Sequence, residues 1–217
     1  MPTGTAPTEH AELRASTEHA ALDRAAKAFT GRTLAAVAHA STTTGYLIGH
    51  REEATLIDRL AQRFDVPAVA GCAAAAAALH RHQVVGQVQL VHPPWFDEEF
   101  DALGVAYFRK QGLDAVVTRA TGLPRDPARV DTQRVVDGVE RLVENKTEAL
   151  FLAGNGFRTA GAVEELEVRT GRLVVGANQA LLWGILTATN NRWDITGHGR
   201  LLRTIATTTG SGQIARR

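Results

Sequence analysis

The chain has 217 residues, of which 44% are apolar and 22% charged, with a net charge of +1. That is enough apolar material for one large α/β domain or two small lobes, and it excludes a disordered chain. The balanced charge and an aromatic content of 6% argue against nucleic-acid binding, which needs a basic face and stacking platforms. A single cysteine, Cys72, excludes an internal disulfide framework and a cysteine-rich metal site within one chain.

The opening residues 1–8 have neither a basic stretch nor an apolar run, so they do not read as a secretory signal. The Ala-rich run at 71–79 falls far short of the roughly 20 apolar residues a bilayer requires. The expectation is a cytoplasmic protein with no membrane partner.

In chain order, Ala and Leu at helical spacing among charges predict a helix over 10–28. LAAVAHA at 34–40 reads as a buried strand, followed by a small-residue loop, STTTG, at 41–45. A helix fits 51–63, a strand 67–70, and a helix follows from 73. The next unit has a strand at 87–92, an acidic-started helix at 97–111 and a strand at 114–120. Val135, Val136, Val139, Leu142 and Val143 define a helix over 132–145. EALFLAG at 148–154 is a strongly apolar strand. After GNG come a helix around Val163 and Leu166, the strand RLVVGA and the helix NQALLWGILTA. The tail at 207–213 reads as weakly ordered.

Alternating strands and helices predict an α/β fold with parallel sheets covered on both faces. The order strand, small-residue loop, helix, strand, helix occurs twice, and Ser41 and Gly154 begin the equivalent loops. The expected architecture is two pseudo-symmetric lobes, the first spanning 1–85, with 187–217 packing back on it, and the second 86–186. Because ligands bind beyond the carboxyl ends of parallel strands, both loops should face one cleft. The second unit carries a strand, a helix and a further strand before the helix at 132–145. The first has only nine residues before its counterpart. The first lobe therefore reads as N-terminally incomplete: either the chain starts late relative to an intact ancestor, or a homo- or hetero-oligomeric partner covers the exposed sheet edge.

Three groups of residues are candidates for chemistry. Thr42, Thr43 and Thr44 offer hydroxyls and backbone N–H groups where a helix begins, an arrangement able to cradle a carboxylate or a developing enediolate; the structural alternative is a turn that caps its own backbone. Gly154, Asn155 and Gly156 would allow a ligand close to the main chain, or simply form a tight strand-to-helix turn. His92, at a strand's carboxyl end, is the best-placed group for proton transfer, weighed against a structural histidine beside Pro93 and Pro94. Arg158, His80, His82 and Cys72 read more naturally as structural or surface residues.

At these loops the sequence resembles the Asp/Glu racemase superfamily, in the branch holding maleate cis-trans isomerases and arylmalonate decarboxylases. The branch's pattern A-C-T-S-G-S-F-L is matched by Ala40-Ser41-Thr42-Thr43-Thr44-Gly45-Tyr46-Leu47. Its S-C-T-N-L-R-T is matched by Ala153-Gly154-Asn155-Gly156-Phe157-Arg158-Thr159. EELE at 164–167 follows, and S-N-Q-A-L-L-W is matched by Ala177-Asn178-Gln179-Ala180-Leu181-Leu182-Trp183. The resemblance implies two α/β lobes around a small carboxylate and cofactor-independent chemistry, with no metal. It also implies thiols at the two loop starts, where this chain has Ser41 and Gly154, and a substrate-contacting tyrosine where it has Pro94. The family's opening strand, which carries a carboxylate-contacting Asn, has no equivalent.

A serine hydroxyl has a far higher pKa than the roughly 8.5 of a thiol, so two-base racemisation is disfavoured. Decarboxylation asks least of a thiol, and Ser41 or His92 would supply its proton. The expectation is a small-carboxylate lyase or isomerase acting by oxyanion stabilisation. The competing expectation is a catalytically silent homologue that binds a carboxylate or pairs with a partner subunit.

Overall fold

The computed structural model describes residues 10–203 apart from 121 and 193. The tail expected to be weakly ordered lies outside the described residues. The fold is mixed α/β with two parallel sheets. The smaller pairs β1 (Val37–His39) with β2 (Ala68–Ala70). The larger has the order β4-β3-β5-β6, from β3 (Gln87–His92), β4 (Asp114–Arg119), β5 (Thr147–Leu152) and β6 (Leu173–Gly176).

The repeated order of the sequence is visible in the connections. β1 leads through α3 (Thr42–Phe64) to β2 and α4 (Gly71–Arg81), as β5 leads through α7 (Val163–Thr170) to β6 and α8 (Ala177–Ala188). β5 is flanked by both β3 and β6, whereas among the described residues β1 pairs only with β2. β3 is buried along its whole length, while Ala38 in β1 is exposed.

The large sheet is covered on both faces. Val88 and Leu90 share one core with Tyr46, Phe108, Phe151 and residues of α4 and α8; Val91, Leu150 and Leu152 share another with Val135, Val139, Phe157 and Leu166. The alternation along β3 thus sends successive side chains to opposite layers. α5 (Glu98–Lys110) packs on α3, and α8 packs on α4, so helices join the two sheets. α6 (Thr132–Glu140) packs on α7 on the other face. α9 (Arg200–Arg203) seats on α8 and β6.

Several boundaries differ from the sequence reading. The helix expected over 10–28 is two, α1 (His10–Ala15) and α2 (His19–Lys27). The Ser16 and Thr17 hydroxyls donate to the Leu13 and Arg14 carbonyls at 2.6 and 2.8 Å, ending the first helix. The strand expected over 34–40 shortens to three residues, since a strand extends only as far as its partner. STTTG is not a loop: α3 begins at Thr42, and the helix expected at 51–63 is its continuation beyond a kink at Gly49, where φ is +76°. α4 starts two residues earlier than expected, α6 stops at Glu140, and β5 stops at Leu152.

Candidate active site

Ser41 is the N-cap of α3. Its backbone is extended, and its Oγ accepts from the Thr44 N–H at 3.2 Å while sharing a 2.7 Å hydrogen bond with the Thr44 hydroxyl. The cap leaves the Thr42 N–H, one of the unpaired donors of the first turn, pointing away from the helix. That N–H donates to Asn155 Oδ1 at 2.9 Å, and the Thr42 hydroxyl donates to the same oxygen at 2.8 Å. The hydroxyl in turn accepts from the Gly154 N–H at 3.3 Å. The two loop starts that follow β1 and β5 therefore meet face to face, as the duplication predicted.

The other end of the Asn155 side chain is also held. Its Nδ2 donates to Asn178 Oδ1 at 2.7 Å, and Asn178 Nδ2 donates back to the Asn155 carbonyl at 3.0 Å. Asn178 is the second residue of α8, and Gly71 opens α4 with its Cα side 3.9 Å from Asn155 Oδ1, measured from the position a Cβ would take. Three helix N-termini, those of α3, α4 and α8, converge on one carboxamide. Their aligned peptide dipoles give the spot a positive potential. Thr42 and Thr44 are buried, Thr43 and Asn155 partly so, and Gly156 is exposed.

Behind this first turn lies a buried polar chain. Tyr46, one helical turn beyond Thr42, hydrogen-bonds through its hydroxyl to His92 Nε2 at 3.2 Å. His92 Nδ1 meets Asp101 Oδ1 at 2.7 Å, and Asp101 is paired with Arg119. Both ring nitrogens are satisfied by a neutral imidazole that donates from Nδ1 and accepts from Tyr46. Burial lowers the His92 pKa, outweighing the Asp101 carboxylate. Asp101 stays low despite partial burial, through hydrogen bonds from His92 and Arg119.

Cys72 is fully buried, with its thiol donating to the Thr42 carbonyl at 3.4 Å. Burial pushes this thiol well up, so it stays neutral at physiological pH. Beside it Glu53, also fully buried, accepts from the Tyr107 hydroxyl and, at 3.4 Å, from the Cys72 N–H. Among the described residues no cluster of three or more His, Cys, Asp or Glu side chains could hold a metal ion, and no helix is long and apolar enough to cross a membrane.

The arylmalonate decarboxylase family model matches residues 15–202, which spans both sheets and every residue of this site. The chain belongs to that family. A search of curated proteins finds no significant match. Among solved structures, arylmalonate decarboxylase is 24% identical over 89% of this chain and 83% of that one, with a TM-score of 0.74. The maleate isomerase from Pseudomonas putida is 19% identical over 91% and 81%, with a TM-score of 0.76. A mutant Nocardia farcinica maleate cis-trans isomerase, with a covalently bound succinylcysteine intermediate, is 21% identical over 92% and 81%, with a TM-score of 0.73. At these identities the shared property is the fold.

Of the residues singled out from the sequence, this member of the arylmalonate decarboxylase family brings Ser41, Thr42, Thr43, Thr44, Gly154 and Asn155 together. His92 lies in the core behind them, hydrogen-bonded to Tyr46 of α3. Arg158 is exposed, and His80 binds the Gln111 carbonyl. Sequence reasoning missed Asn178, although it quoted the motif containing it; a polar residue in the first turn of a helix that follows a buried strand was the available signal. Glu53 and Tyr46 were also missed, because helical spacing does not reveal a buried acid or phenol.

The histidines fix a pH response. Burial lowers the pKa of His92, and the same cause lowers His39 and His82. Between each folded value and the unfolded value near 6.5, the unfolded chain binds more protons, so stability falls as pH drops below about 6.5. The melting temperature should decrease from pH 7.5 to 5.5. His92→Gln should be less stable at pH 7.5 but show a shallower decline, and an equal slope in both proteins would remove His92 from this account.

Proposed function

We propose that this protein is a small-carboxylate lyase or isomerase, with decarboxylation of a malonate-type acid as the favoured reaction, working by oxyanion stabilisation without a cysteine. The reading is carried by the convergence of the Thr42 N–H and hydroxyl on a single acceptor oxygen beside the Gly154 N–H. It draws further support from the family membership and from the enzymes that share the fold.

A carboxylate oxygen in the place of Asn155 Oδ1 would receive the same two hydrogen bonds. Cleavage of the bond to the departing carboxylate leaves its electron pair in an enediolate, and donors already oriented by α3 need no rearrangement to stabilise that charge. Carbon dioxide departs, and a proton then returns to the α-carbon. Ser41, partly exposed at the loop start, or water relayed through it, supplies this proton. His92, with both nitrogens engaged, acts on the site through Tyr46 and the position of the first turn. The route through a cysteine adduct, as captured in the Nocardia farcinica isomerase, is disfavoured because the chain's one thiol is buried behind the helix.

Steady-state turnover of malonate, phenylmalonate and maleate tests the proposal. Activity on a malonate-type acid should fall by at least about 100-fold in a Thr42→Val, Thr43→Val double variant, the scale of losing an oxyanion donor. Unchanged turnover in that variant would remove the cradle from the mechanism.

Two observations favour a second reading, in which the chain binds a carboxylate, or pairs with another subunit, without reacting. The Ser41 hydroxyl is committed to its own helix, and β1 offers an open edge among the described residues. Binding of these acids with no reaction in decarboxylation, racemisation or isomerisation assays would favour this second reading.

A further inference from the structure

The donors of the cradle are already occupied by the protein. Asn155 Oδ1 takes both hydrogen bonds from Thr42 at 2.9 and 2.8 Å, and its Nδ2 is tied to Asn178. The Thr42 N–H can only donate, so the carboxamide oxygen must face it, in the place an anionic oxygen would occupy. We infer that Asn155 is a latch: its side chain imitates a ligand carboxylate, holds the site shut, and must swing away before an acid can bind. The inference rests on the proposed carboxylate cradle and adds a residue that sets its affinity and selectivity.

The loop is built for that motion. Gly154 has φ of +92°, a conformation that glycine adopts without strain, and no atom lies within 4 Å of where a Cβ on Gly156 would sit. Asn155 itself is partly exposed, so its side chain has solvent to move into. Against the motion stand the hydrogen bonds to Thr42 and the pair with Asn178. An ionised carboxylate makes hydrogen bonds roughly twice as strong as a neutral amide oxygen does, which gives an acid the means to displace the latch. Neutral amides and alcohols lack that advantage, so the latch also selects for charge.

A protein that is mostly latched binds with an affinity reduced by the fraction that is open. Calorimetric titration with malonate, phenylmalonate and sulfate, using the full chain, reads this directly. Asn155→Ala should bind the acids about tenfold more tightly than the unaltered protein, and adding Thr42→Val should abolish the gain. Asn178→Ala, which leaves Asn155 in place but removes its second anchor, should give a smaller gain in the same direction and covers the case in which Asn155→Ala folds poorly. Equal affinity of the Asn155→Ala variant and the unaltered protein would overturn the latch and leave the cradle standing. Weaker binding would overturn it too, by making Asn155 a ligand contact. No binding by any variant would overturn the cradle and, with it, the latch.

Discussion

Glu53→Ala should cost about 3–5 kcal/mol of stability, a loss built from a cavity in the core and stranded hydrogen-bond donors. α4 begins at Gly71 after Ala70, whose side chain cannot cap it. Glu53 supplies the missing acceptor from α3, receiving the Cys72 N–H and, on its other oxygen, the Tyr107 hydroxyl of α5. One buried carboxyl thus ties three helices directly behind the candidate site. Its fit is close: a Cβ on Gly45 would come within 2.7 Å of both Glu53 Oε1 and Cys72 Sγ. A glutamine there can keep both contacts, its Oε1 accepting the Cys72 N–H and its Nε2 donating to the Tyr107 hydroxyl oxygen. Glu53→Gln should therefore cost no more than about 1 kcal/mol. Denaturant midpoints at unchanged m-value separate the two variants, and equal losses would show that the acceptor oxygens are not what the helices need.

Placing a thiol at the second loop start is expected to be costly. Gly154→Cys should destabilise the protein by about 2–3 kcal/mol, because a non-glycine residue at positive φ is strained. The new Cβ would also lie 3.2 Å from Pro93 Cγ and 3.4 Å from Phe96 Cζ. Ser41→Cys should be milder, about 1 kcal/mol, since the extended backbone there suits any residue and only the cap is weakened. Thermal melting compares the two. If Gly154→Cys melts with the unaltered protein, the Pro93–Phe96 wall is softer than its geometry implies. The loop is packed around the absence of a side chain, and placing sulfur there would mean rebuilding the wall as well.

The parts of the fold legible in the sequence were those fixed by local pattern. Gln87–His92 alternates and is flanked by turn residues, and it forms β3 with those bounds. The duplication led to the expectation that the loops of Thr42 and Asn155 face one another, because equivalent β-to-α junctions in parallel sheets open on the same side, and the two residues hydrogen-bond directly. Residues 41–45 were misread because Ser, Thr and Gly are weak helix formers. Ser41 overrides that preference by capping the turn that follows, and Asn155 secures its free N–H from 113 positions away. The break at Ser16 and Thr17 depends on hydroxyls turning back to their own carbonyls, which composition does not reveal. The commitment of His92 to Asp101 and Tyr46 is likewise invisible to spacing, since its partners come from α5 and α3.

The three-residue length of β1 has a consequence for how the site responds to its guest. Asn155 hangs from β5, in the middle of the larger sheet, while Thr42 hangs from a short strand secured along a single side among the described residues. The two sides are therefore held by different means, the β5 side by its neighbouring strands and the Thr42 side by the packing of α3 against α5 and α4. The donors offered to an acid at Thr42 are thus aimed by helix packing rather than by the sheet, and a change in how α5 or α4 seats on α3 would re-aim them.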